Sequence, residues 1–181
     1  MGFCFMFQRF RQNKIAVFFT SASILYLSWF LLYELVIKPY TLLDEKVISN
    51  IIFFSSRVLS FFNHNVYLSN ADIDMQMVGI DGAHPVWIGG PCNAITLMAL
   101  FSIFIIAFPG KIKNKLWFIP SGILIIHLLN ILRVSALASI AYYAPEYLGF
   151  NHTYTFTIIM YSFIFWFWII WVNRLSKLAD A

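Results

Sequence analysis

Ile123-Leu-Ile-Ile-His127-Leu-Leu-Asn130-Ile-Leu-Arg133-Val134 decides how this chain is read. Nine of the twelve residues are apolar, and neither Gly nor Pro interrupts them. Such a stretch belongs to a helix in lipid, where an Arg costs roughly 2.5–3.5 kcal/mol on insertion scales. Arg133 is therefore a functional-site candidate from the outset, and an Arg snorkelling to the headgroups is the competing explanation. His127 lies about 9 Å deeper than Arg133 along the helix. With Asn130 it makes a polar seam leading up to Arg133. It either orients the Arg or satisfies a bond to a neighbouring helix.

The rest of the chain agrees with a lipid setting. Of 181 residues 61% are hydrophobic and 11% charged, and Phe occurs 20 times. Average soluble domains are about half apolar and about a quarter charged, and a domain of this size leaves roughly a third of its surface in water. A soluble globular enzyme and a disordered chain are both excluded. A bilayer core of about 30 Å takes roughly 20 apolar residues in a helix, which selects four spans at about 15–37, 92–108, 117–143 and 154–172. Residues 44–91 form an insert between the first two, and 1–181 reads as one polytopic membrane domain. The expected fold class is all-α integral membrane, about four transmembrane helices with an extracytoplasmic amphipathic helix and a small β-hairpin.

Charge orients the spans. Arg9, Arg11 and Lys14 precede the first, Lys111, Lys113 and Lys115 fill the turn between the second and third, and Arg174 and Lys177 follow the last. The positive-inside rule places these eight in the cytoplasm, with both termini. The opposite loops carry Lys38, Lys46 and Arg57 against Asp44, Glu45, Asp72, Asp74, Asp81 and Glu146. The net charge of +4 thus reports orientation and calls for no nucleic acid. The first apolar run exceeds the roughly 7–15 residues of a cleaved signal and lacks a small-residue cleavage site, so it reads as an uncleaved anchor. Residues 47–62 are short and polar for a span. Their apolar positions recur at helical spacing, which suits a helix lying on the outer face. Asp81-Gly82 joins two short strand-like stretches, 74–80 and 85–88, and signals the hairpin.

Two cysteines fall on opposite sides. Cys4, cytoplasmic between Phe3 and Phe5, reads as an inert thiol more readily than as an acylation site. Cys92 opens the second span after Gly-Gly-Pro, where helix N–H groups favour a thiolate; a small apolar residue at an interface is an equal alternative. Cys92 stands sixteen residues above Phe108, and Arg133 sixteen above Trp117. Both therefore lie roughly 24 Å above the cytoplasmic boundary. A guanidinium level with a thiol can favour the thiolate or hold an oxyanion. His152, at the outer start of the fourth span, adds a base at the same level, with Asn151 or Glu146 as candidate orienters. His64 and His84 read as surface residues. No cofactor or metal is expected, since a site from Cys92, His84 and His152 has no ligand spacing behind it. Neither a Gly-rich phosphate loop nor a GxSxG elbow occurs.

Gly-Pro-Cys92-Asn93-Ala94-Ile95, Leu-Asn130-Ile-Leu-Arg133-Val and Phe150-Asn-His152, in that order, resemble the exosortase/archaeosortase family. These are polytopic membrane cysteine proteases or transpeptidases. The resemblance covers about residues 66–171. It implies Cys92 as nucleophile, Arg133 as stabiliser of thiolate or oxyanion, and His152 as general acid and base, with Asn93, Asn130 and His127 in support. It further implies substrate proteins ending in a short motif, a transmembrane helix and a basic cluster, cleaved at the outer face of a bacterial inner membrane and passed to water or an acceptor amine. The chain departs from the family in having four spans where many members have about eight. It also carries Ala94 where a Gly is usual, and so resembles a short, core-only variant. A non-catalytic membrane scaffold and a thiol-dependent membrane acyltransferase are the alternatives.

Overall fold

The computed structural model describes residues 14–72 and 75–176; Cys4, Arg9, Arg11, Asp74 and Lys177 lie outside them. The described chain is mainly helical, and three of its helices are long and apolar enough to cross a membrane, at Ile15–Tyr40, Ile112–Tyr143 and Pro145–Leu175. The first comprises α1 (Lys14–Leu32), a π-helical turn at Tyr33–Ile37 and a last α turn at Lys38–Tyr40. After α2 (Leu43–Phe61) come three strands, β1 (Val66–Asp72), β2 (Met75–Ile80) and β3 (Val86–Ile88). The chain then enters α3 (Ile95–Ala107), α4 (Ile112–Tyr143) and α5 (Phe156–Ile170).

The expected second span, 92–108, is the one that differs. Its helix has 13 residues, about 20 Å, and falls short of a hydrocarbon core. It starts at Ile95 because Gly90–Cys92 forms a separate 3-10 turn. At its other end Lys115 reaches back from α4, and its Nζ donates to the Ile106 and Phe108 carbonyls, each at 2.8 Å. This satisfies two of the carbonyl groups that a helix end leaves without partners. Its neighbour α4 has 32 residues, about 48 Å, more than a bilayer core requires.

The surplus length of α4 explains the insert. The amphipathic helix α2 buries Ile48, Ile51, Ile52, Ser55 and Leu59, a stripe at helical spacing. It does not lie across the end of the bundle. Asn50 meets His127, the Ser55 hydroxyl donates to the Ile131 carbonyl, and His64, just beyond α2, packs on Tyr142 and Tyr143. The two helices therefore run alongside each other in the same direction. The sheet has the order β1-β2-β3 with both pairs antiparallel. Val66 faces Ile80, and Val78 faces Val86. β2 and β3 pair antiparallel on either side of Asp81-Gly82, where Gly82 has φ +89°, and β1 adds a third strand.

Two hydrophobic cores result. The outer one joins α2 and the sheet residues Val78, Ile80, Val86 and Ile88 to Ile131, Val134, Leu137, Ala138 and Ala141 of α4. The inner one joins Phe101 and Ile105 of α3, Phe118 and Ile126 of α4, and Met160, Ile164 and Phe167 of α5 with Trp171. One helix thus serves both cores with successive halves.

Candidate active site

Three features shape the chain just before α3, and each has a visible cause. Cys92 closes the 3-10 turn by donating its N–H to the Gly89 carbonyl at 2.8 Å. Asn93 follows, only 1% exposed. Its Oδ1 accepts the Ile95 N–H at 2.9 Å, which caps the helix from two residues upstream. Ala94 between them takes φ +62°, ψ +8°, a left-handed conformation that costs a non-glycine residue roughly 1–2 kcal/mol. Cys92 thus precedes the helix instead of opening it. The helix N-terminus that was to favour its thiolate is occupied by Asn93.

What replaces the helix terminus is a side chain. His152 Nε2 stands 3.4 Å from Cys92 Sγ, within reach for a hydrogen bond to sulfur. His152 lies in a π-helical turn, Asn151–Thr155, closed by the Phe156 N–H on the Asn151 carbonyl. A π turn inserts one residue and swings its side chains round relative to the following helix. Neither suggested orienter reaches the imidazole. Asn151 donates its amide to the Tyr147 carbonyl at 2.9 Å, and Glu146 is exposed.

From α4, Asn130 donates Nδ2 to the Cys92 carbonyl at 2.8 Å, which locks the turn to the helix that carries Arg133. Asn130 is fully buried, and its Oδ1 has no partner; neither does the buried Nε of Arg133 one turn further out. Among the described residues the one salt bridge is Lys38 to Glu34 at 3.1 Å, so no carboxylate neutralises Arg133. Arg133 lies within electrostatic reach of the His152 ring. The structure therefore brings Cys92, Asn93, Asn130, Arg133 and His152 together, a thiol beside an imidazole and an unpaired guanidinium. His127 is engaged elsewhere, its Nε2 lying 2.7 Å from Asn50 Oδ1 on α2. His84 is exposed, and among the described residues no three His, Cys, Asp or Glu side chains gather to hold a metal ion.

Two residues at the site escape the sequence reading. Asp44, counted there only as an outer-loop charge, accepts at one oxygen from Asn93 Nδ2 and from the Tyr33 hydroxyl, both at 2.6 Å. Tyr33 is 7% exposed and lies in the π-helical turn of the first long helix. Nothing in the local pattern marks either, since they meet only when α1, α2 and the Cys92 turn converge. Beside them opens a cavity of about 520 Å³ lined by Glu34, Lys38, Asp44, Glu45, Ile48 and Gly90 among others, and it adjoins the turn that presents Cys92.

Comparison of the chain with protein-family models, with curated proteins and with solved structures found no match.

Proposed function

We propose that this chain is a membrane-embedded cysteine transpeptidase or protease that cleaves C-terminal sorting signals of exported proteins at the outer face of a bacterial inner membrane. The observation that carries the reading is the 3.4 Å approach of Cys92 Sγ to His152 Nε2 beside an Arg133 whose Nε is buried and unpaired. A nucleophile next to a base, with a cation that has no resident counter-ion, suits a reaction in which negative charge appears and disappears. The resemblance of the three motifs to the exosortase/archaeosortase family supports the same reading.

In the proposed reaction the Cys92 thiol gives its proton to His152, and the sulfur attacks the scissile carbonyl carbon. The carbonyl oxygen takes up the charge facing Arg133. Collapse of the tetrahedral species breaks the C–N bond, His152 returns the proton to the departing amine, and a thioester remains on Cys92. Water or an acceptor amine then attacks the thioester carbonyl, losing a proton through His152, and the thiol is restored. The substrate's tail would enter lipid as a helix beside the spans, with its basic cluster towards the cytoplasm, where Lys111 and Lys113 are exposed and both termini are assigned.

The test is Cys92→Ala in cells that co-express a protein ending in motif, apolar helix and basic cluster. The expected result is full-length substrate accumulating in the membrane. Unchanged processing by the variant would overturn the reading and leave a scaffold. A lipid-derived thioester trapped on Cys92 with no protein substrate would move the assignment to an acyltransferase.

A further inference from the structure

Three departures from regular helix converge on Cys92. The π-helical turn Tyr33–Ile37 carries Tyr33, the left-handed Ala94 follows the Cys92-Asn93 pair, and the π-helical turn Asn151–Thr155 carries His152. Irregular backbone of this kind persists only where the surroundings hold it, and it clusters at functional sites. The group that holds the first two together is a single carboxylate oxygen. Asp44 Oδ1 receives the Tyr33 hydroxyl from that first π-helical turn and the Asn93 amide from the Cys92 turn, each at 2.6 Å, while its own backbone belongs to the first turn of α2. Asn93 spends its other atom, Oδ1, on the Ile95 N–H. Its side chain can therefore rotate only by breaking a bond at each end.

We infer that Asp44, with Tyr33, is a positioning residue for Cys92: it clamps Asn93 and thereby fixes the turn that holds the thiol against His152. The inference rests on the reading of Cys92 as a nucleophile, but it is tested on the thiol alone, so its failure and the failure of the processing reading are distinguishable. Charge and position also predict opposite signs. Removing a carboxylate near a thiol by itself favours the thiolate and speeds alkylation. Loosening the turn separates the thiol from its base and slows alkylation.

The experiment measures the iodoacetamide alkylation rate of Cys92 in the full chain in detergent, in a Cys4→Ser background so that one thiol is read. Asp44→Ala is expected to slow the rate by about tenfold, the size of a lost charge-assisted bond pair. Asp44→Asn retains an oxygen that accepts from both donors and is expected to restore most of the rate. In a His152→Ala background Asp44→Ala is expected to have no further effect, because the contact it positions is already gone. Tyr33→Phe, which removes one donor and preserves the ring, is expected to give a smaller slowing of the same sign and covers the case in which Asp44→Ala does not fold. Faster alkylation, unchanged rates in both Asp44→Ala and Tyr33→Phe, or the same loss with and without His152 would overturn the inference.

Discussion

The inner and outer halves of this molecule are held together by different means. Inward, Phe101 packs against Phe118 and Phe167 with ring centroids 5.9 and 6.1 Å apart, and Phe118 against Trp171 at 5.3 Å. Gly122 lets Phe101 approach so closely that an added Cβ would stand 2.2 Å from the ring. Lipid removes the hydrophobic drive between helices, so shape and small residues must do the joining. Outward, aliphatic side chains from one helix face and one sheet face meet the second half of α4, and polar bonds cross the packing from Ser55 and Asn50. That is packing by aliphatic burial with polar cross-links, unlike the aromatic and small-residue packing of the inner half. The difference places the site. Cys92 packs with the outer core and Ala94 with the inner one, so the thiol stands at the seam between the two packing sets.

Arg133 is where that comparison breaks most sharply. If the seam exists for chemistry, Arg133→Leu should abolish function without loosening either half. We expect processing to fall by about 10²–10³-fold, the usual cost of one oxyanion donor. Thermal stability should hold or rise, because a half-buried Arg whose Nε is buried without a partner gives way to apolar surface. Arg133→Lys should recover only part of the activity, since a point charge lacks the planar fork. A stability loss that tracks the activity loss in Arg133→Leu would make the Arg structural.

The two cores can be sharpened against each other by one substitution in each. Leu137→Ala in the outer core, at a side chain 2% exposed, should cost about 3 kcal/mol through a cavity. Gly122→Ala in the inner core should cost about 2 kcal/mol through overpacking against Phe101. Thermal unfolding in detergent gives both totals, and hydrogen exchange tells them apart. Leu137→Ala is expected to raise exchange in α2 and the sheet, and Gly122→Ala in α3 and α5. Uniform loss across both halves in either variant would show a single cooperative core.

Much of the fold is legible in the sequence alone. Hydropathy marks the long helices, and the Lys111, Lys113 and Lys115 turn makes α3 and α4 neighbours; counting helical rise from that turn to Cys92 does not carry over, because the helix stops at Ile95. These inferences use only local composition and helix rise. What stayed hidden depends on partners distant in sequence. The apolar stripe of α2 says which face is buried but not against what, so its alignment with α4 could not be read. The sequence opens the helix at Cys92, and only the Asn93 cap and the Asp44 contact explain why it waits until Ile95. The π-helical turn that aims His152 has no residue signature, because Asn-His-Thr-Tyr-Thr suits an α-helix as well.

The smallest expected effect lies on the seam itself, at Ala94. Its φ of +62° is a conformation glycine adopts without penalty, so Ala94→Gly relieves roughly 1–2 kcal/mol of native strain. The same change adds freedom to the unfolded chain, which costs about 0.4–1 kcal/mol. The net gain in stability should fall between about zero and 1.6 kcal/mol, a rise of a few degrees at most in a chain of this size. Activity separates two accounts of why an alanine is tolerated there. If the Asn93 clamp already fixes the turn, glycine adds no mobility that Cys92 can use, and alkylation of Cys92 should match the parent. If instead the alanine stiffens the turn, alkylation should slow even as the protein becomes more stable. The first outcome is expected, because Asn93 is bonded on both sides of its amide whether or not the next residue carries a Cβ. A more stable but slower Ala94→Gly protein would shift the stiffness of the seam from the Asp44 contact to Ala94.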